Sequence, residues 1–225
     1  IINEKIEKGF IPYAMGWPDN LTRLKDDIPN LVKIDISKKK NKNFFELYIA
    51  SNAIAFGGKN MGMPKWVALD CVSLPSVSLG FAVKYSSLDL ETKRKFLETV
   101  PKNIEKDLHN EELFPISMYN AIPSLYDSKT FINCTLCSIM GNKGLATATM
   151  ALGIHAYGAQ KIKSVTQYDN HAIKVHSKFG DLSLESAQVS VHDLPNMTFV
   201  YSLNISNKEE IFSNIEKKVD IEEVK

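Results

Sequence analysis

From residue 114 to residue 205 apolar positions alternate between strand-like runs and one clear helical period. Residues 114–122 and 130–139 read as strands, joined by a turn at Asp127-Ser128 that makes them a hairpin. Residues 147–159 place Met150, Ala151, Ile154 and His155 at helical spacing. A short strand at 161–166, a short helix at 170–178 and strands at 182–191 and 197–205 follow, with a charged peripheral helix at 209–218. The first half is broken more often. Strands are expected at 32–36, 44–50, 67–72 and 77–83, punctuated by Gly57, Gly58, Gly62, Pro64 and Pro75. Residues 88–108 have helical spacing, with Asp89 or Ser87 as the cap and Pro101 kinking or dividing the helix.

This pattern predicts an α/β (α+β) protein in two parts: residues 1–110, a β-rich N-terminal region with a linking helix, and residues 111–225. A chain of 225 residues that is 44% hydrophobic can bury one sizeable core or two small fused ones. The 27 Lys and Arg nearly balance the 26 Asp and Glu, so no field of one sign exists to gather nucleic acid or an anionic membrane. The dense basic run, Lys38 to Lys42, is a solvated loop on this reading. No stretch nears the roughly 20 apolar residues of a membrane helix, and the opening Ile1-Ile2-Asn3-Glu4-Lys5 lacks the order of a secretion signal. Cys71, Cys134 and Cys137 form no disulfide framework. Cys134 and Cys137 lie three apart in a strand, on opposite faces, and are expected to be buried small residues rather than metal ligands. A reducing, cytoplasmic location and no metal are the expectations.

The candidate chemistry lies after the strand that ends at Ile139. Met140-Gly141-Asn142-Lys143-Gly144-Leu145-Ala146 leads straight into a helix. Glycines let the backbone approach a ligand, and the first helical amides have no internal partners, so a phosphate would find donors there. The spacing is neither the Walker loop nor the dinucleotide fingerprint, and a plain tight turn explains it equally well.

Downstream, Asp169-Asn170-His171-Ala172-Ile173-Lys174-Val175-His176-Ser177-Lys178-Phe179-Gly180 resembles the closing motif N-x-x-A-x-x-x-Y-x-K-x-G-F of the GNAT family of N-acetyltransferases. Asp169 takes the Asn place, Ala172 the Ala, His176 the Tyr, Lys178 the Lys and Gly180 the Gly. The loop from Gly141 to Ala146 is similar to that family's R/Q-x-x-G-x-G/A pyrophosphate loop, with Gly141 where Arg or Gln is usual. The resemblance spans about residues 114–205. It implies a GNAT-like mixed sheet in the C-terminal half with a β-rich N-terminal extension supplying or widening the acceptor site. It further implies acetyl-CoA or a longer acyl-CoA (or a carrier-protein thioester) as donor, and a small-molecule amine or peptide as acceptor. The donor would be held by Ile139, Gly141, Asn142, Lys143, Gly144, Leu145, Ala146 and Asp169, and a strand amide would polarise its carbonyl. His176 would protonate the departing thiolate, as an imidazole with a pKa near working pH does efficiently. Departures of this size also allow a catalytically silent acyl-CoA-binding protein.

A rival lies in the first half. Residues 52–66 are loosely similar to the G-R-E-x-x-G-F-P-K-K segment of acetoacetate decarboxylases, which would make Lys65 a Schiff-base amine. That chemistry needs a neighbouring cation in a dry pocket, and Trp66 stands where the second lysine would. Otherwise Gly57 to Pro64 shapes a loop lining an acceptor pocket, with Met61 and Met63 as apolar walls. Glu111, Glu112 and Asp127 lie near the right strands for a general base, and none is singled out.

Overall fold

The computed structural model describes residues 1–57, 62–73, 76–110, 113–141, 143–167, 170–189 and 197–206. In chain order the elements are α1 (Ile2–Glu7), β1 (Ile11–Gly16), α2 (Pro18–Thr22), β2 (Val32–Asp35), α3 (Lys42–Phe56), α4 (Lys65–Ser73) and β3 (Ser78–Val83). They continue with α5 (Leu90–Thr99), α6 (Lys102–Glu105), β4 (Phe114–Pro115), β5 (Ser117–Pro123), β6 (Thr130–Ser138), α7 (Leu145–Tyr157), β7 (Lys161–Gln167), α8 (Ala172–His176), β8 (Gly180–Val189) and β9 (Met197–Ile205). The helix expected at 209–218 lies outside the described residues.

The strands form one mixed sheet in the order β2-β1-β3-β5-β6-β7-β9-β8, with β4 paired to β3 off this path. Strands from both sides of residue 110 therefore share a sheet. Two neighbouring pairs are parallel, β1 with β2 and β6 with β7, and the rest are antiparallel.

Two expected strands are helices. Residues 44–50 lie inside α3, where Phe44, Phe45, Glu46, Leu47 and Tyr48 are all buried. A helix enclosed almost all round shows no polar stripe, so a short window of it reads as an apolar strand, and only its 15-residue length separates the two. Residues 67–72 lie in α4, whose buried Ala68, Cys71 and Val72 follow the i, i+3, i+4 rule despite the β-branched valines. The helical run at 88–108 is divided at Pro101, as expected. The Asp89 carboxylate accepts from the Thr92 amide at 2.7 Å to cap α5, and Val100, extended at ψ 153° before the proline, ends it.

Helix α7 packs across the sheet so closely that a Cβ on Gly153 would lie 2.1 Å from the Tyr119 ring. Leu145, Ala148, Leu152 and Ile154 of α7 join Phe81, Tyr119 and Ile162 of the sheet in the larger core. A second core, between α3 or α4 and the opposite face, holds Tyr13, Phe44, Tyr48, Val72 and Met118. The central strands are thus covered on both faces, whereas β8 is exposed along most of its length.

Candidate active site

Strands β6 and β7 run side by side for three pairs only, Thr130 with Lys161, Phe131 with Ile162 and Ile132 with Lys163. Beyond that rung both strands continue but diverge, and a cleft of about 420 Å³ opens between them. Side chains bridge the next rung, where Asn133 Nδ2 donates to Ser164 Oγ at 3.0 Å. From Asn133 to Ser138 the β7-facing edge of β6 has no strand partner among the described residues, so its main-chain groups are available to an extended polar ligand lying in the fork. On its other edge β6 carries a bulge: Asn120 pairs with Thr135 and Ala121 with Asn133, leaving Cys134 outside the ladder. The bulge turns Cys134 outward, so this thiol is exposed at the cleft instead of buried as expected, whereas Cys137 is buried in the second core.

Helix α7 begins at Leu145, shortly after β6 ends at Ser138. Gly144 adopts a left-handed conformation (φ 65°), a turn that disfavours any side chain, and no side chain caps the helix. The amides of Leu145, Ala146 and Thr147 are the ones an α-helix leaves without internal partners. No acid sits in the first turn. Cations gather there instead. The Lys5 ammonium, on buried Lys5 of α1, would be 3.3 Å from a Cβ placed on Gly144, and the Lys178 ammonium lies 3.5 Å from Thr147 Oγ1. Lys143 is exposed beside them. Positive charge at the positive end of a helix dipole is unfavourable unless an anion joins it; Glu4, 3.2 Å from Lys5, supplies part of that balance on α1.

The residues singled out in the loop fall into distinct roles. Gly141 is exposed with open space around its α-carbon. Leu145 buries its side chain in the core, leaving only its amide for a ligand, and Ala146 is half-buried. The Ile139 amide is already occupied by the Ile116 carbonyl at 2.9 Å. Asn142 and Asp169 lie outside the described residues, as do Glu111 and Glu112.

His176, the last residue of α8, is fully buried and lines the cleft. Its Nδ1 lies 2.7 Å from Tyr201 Oη, and its Nε2 is buried without a partner. Burial pushes the imidazole pKa down to about 4, so the ring is neutral at neutral pH. That corrects the expectation of an imidazole poised near working pH: with no carboxylate partner among the described residues, desolvation decides. Two more cleft-lining atoms are buried and unpartnered, Asn133 Oδ1 and Thr166 Oγ1. Three orphaned polar atoms around one opening are what a polar ligand would satisfy.

The opposite wall comes from the α3–α4 region. Phe56, Met63, Pro64 and Val67 line it, so the loop does border the cleft. Asn52 of α3 pins it: Oδ1 accepts from the Met63 amide at 2.6 Å, while Nδ2 reaches Thr135 Oγ1 at 3.4 Å. Met61 lies outside the described residues. Lys65 points elsewhere, into an ion pair with the buried carboxylate of Glu46, and its side chain is 56% exposed. A Schiff-base lysine needs a cation beside it in a dry pocket; this one has a carboxylate and water. Asn52, Asn133, Ser164, Thr166 and Tyr201 escaped the sequence reading. Their one signal is polar residues at inward positions of otherwise apolar elements.

No protein-family model and no curated protein matches this sequence. Solved structures do. The ribosomal-protein-S18-alanine N-acetyltransferase from Escherichia coli aligns at TM-score 0.50 and 8% identity, over 75% of this chain and 90% of that one. A NatC complex bound to Gag peptide and CoA aligns at TM-score 0.50 and 11% identity, over 76% of this chain and 95% of that one. A GNAT-family acetyltransferase from Bacillus anthracis aligns at TM-score 0.42 and 12% identity, over 72% and 89%. The first two alignments, at TM-score 0.50, show that the fold is the GNAT acetyltransferase fold, with its mixed sheet.

Proposed function

We propose that this protein transfers an acyl group from acyl-CoA to an amine, using the fork between β6 and β7 as the donor site. One observation carries the reading. The strands part beside an uncapped helix start with cations around it, and the opening between them is lined by buried polar atoms that lack partners. A diphosphate bears several charges and fits the amides of Leu145 to Thr147 together with Lys5, Lys143 and Lys178. The amide-rich arm that follows would pair with the free edge of β6, which leads the thioester toward the Cys134 bulge and His176. There an amide of β6 would polarise the acyl carbonyl, and His176 Nε2 would face the leaving sulfur.

The acceptor would enter along Phe56, Met63, Pro64 and Val67. That apolar wall suits an apolar amine, a peptide end, or the tail of an acyl group longer than acetyl. Among the described residues lining the cleft there is no carboxylate, so general-base duty is not assigned to any of them. Titration calorimetry with acetyl-CoA tests the reading. Binding is expected with a dissociation constant in the micromolar range, about −8 kcal/mol, and should be lost when the loop is filled by Gly144→Glu. Absence of any heat in the unaltered protein would end the donor assignment.

A further inference from the structure

Four side chains form a chain across the foot of the cleft. Asn133 Nδ2 lies 3.0 Å from Ser164 Oγ. Ser164 stands directly opposite Tyr201 in the β7–β9 ladder, on the same face of the sheet, and its hydroxyl is near enough to offset part of the rise that burial imposes on the phenol pKa. Tyr201 Oη lies 2.7 Å from His176 Nδ1, the two rings 5.6 Å apart. Two ends are free, Asn133 Oδ1 and His176 Nε2, both buried at the cleft, and of the two only Nε2 can carry a proton to give.

The direction of this chain follows from its first member. An amide nitrogen donates and cannot accept. Asn133 Nδ2 therefore gives its proton to Ser164 Oγ, which leaves the serine O–H to donate onward to Tyr201. The phenol, already an acceptor on that side, turns its own proton to His176 Nδ1. An imidazole accepting at Nδ1 while neutral must carry its hydrogen on Nε2.

We infer that Asn133, Ser164 and Tyr201 lock His176 in the Nε2–H tautomer, so that the cleft is presented with a neutral N–H donor whose proton is replaced from Tyr201. The inference deepens the acyltransfer reading and rests on it for the identity of the leaving group. When the carbon–sulfur bond breaks, its electron pair stays on sulfur and the thiolate takes the Nε2 proton. Nδ1 takes the phenol proton in the same movement, leaving the alternative tautomer hydrogen-bonded to a phenolate. The attacking nitrogen must lose one proton to become an amide, and that proton, delivered to Nε2, returns the Nδ1 proton to Tyr201. Protons balance over the cycle with no outside donor. His176 touches the reacting atoms; Tyr201 is a positioning residue acting through it.

The test reads the tautomer directly, by long-range 15N–1H correlation on protein labelled at histidine, near pH 7. His176 is expected with its proton on Nε2. Asn133→Asp keeps the shape but replaces a donor with an acceptor, and should reverse the chain and move the proton to Nδ1. Tyr201→Phe should remove the tautomer preference. With acetyl-CoA and hydroxylamine as the acceptor probe, Tyr201→Phe should lower kcat at least tenfold and leave KM for acetyl-CoA within about threefold. An Nδ1–H tautomer in the unaltered protein, a tautomer indifferent to both substitutions, or an unchanged kcat would each overturn the inference. Should acetyl-CoA fail to bind while the tautomer responds as expected, the donor assignment falls and the hydrogen-bond chain stands.

Discussion

The two walls of the cleft treat polar atoms differently. On the β6–β7–α8 side, Asn133 Oδ1, Thr166 Oγ1 and His176 Nε2 are buried without partners. On the α3–α4 side the one deeply buried amide that touches the cleft region, Asn52, is bonded through both ends, and the lining is Phe56, Met63, Pro64 and Val67. A buried polar group left without a partner costs about 1–3 kcal/mol, so the first wall is held in a strained electrostatic state that a ligand would relieve. The second wall is complete by itself. Substitutions on the first should trade stability against acetyl-CoA binding, and those on the second should act on stability and leave acetyl-CoA binding unchanged.

The largest effect is expected at the helix start. Gly144→Glu places a side chain at a left-handed residue and a carboxylate among the amides, and calorimetry should show acetyl-CoA affinity falling at least a hundredfold, about 2.7 kcal/mol. Affinity that survived would move the donor away from α7.

Acid should act on the same wall. The folded-state pKa of His176, about 4, lies below the ordinary 6.5. Between those values the unfolded chain takes up a proton that the folded chain does not, so the stabilisation is complete above pH 6.5 and is lost as pH falls toward 4. The slope is about 1.4 kcal/mol per pH unit, roughly 3 kcal/mol over the window. Urea unfolding at several pH values should show this fall and show it flattened in His176→Gln.

On the other wall, Asn52→Ala removes two anchors at once. Unfolding free energy should drop by about 2 kcal/mol, while acetyl-CoA affinity should change by less than about threefold. A comparable loss of affinity would mean that the Met63 loop forms part of the donor site.

The same contrast governs what could be read in the sequence. The elements around the β6–β7–α8 wall were legible because their signals are local: a glycine-marked turn at 140–146, a helical period after it, and a short motif ending at Gly180. The α3–α4 wall was misread as strands because Phe44 to Tyr48 are buried on every side, and burial erases the polar stripe that distinguishes a helix from a strand. Asn133, Ser164 and Tyr201 were invisible for a third reason. A polar residue in a strand ordinarily marks the solvent face, and only the divergence of β6 from β7, a pairing fact with no one-dimensional trace, turns these three inward upon each other.

The smallest effect is the sharpest, because its sign differs from that of ordinary mutations. Thr166 is buried in a strand, where valine is equally at home, and its hydroxyl has no partner. Thr166→Val removes an unpaired polar atom without changing shape, so the protein should gain about 1 kcal/mol. Ser51 Oγ of α3 is likewise buried and unpartnered but does not line the cleft, and Ser51→Ala should gain a similar amount. If the hydroxyl of Thr166 awaits a ligand, the first variant alone should pay for its stability with weaker acetyl-CoA binding, by several-fold in calorimetry. Equal binding in both variants would make the orphaned atoms of the cleft no different from those elsewhere in the core, and the contrast between the walls would dissolve.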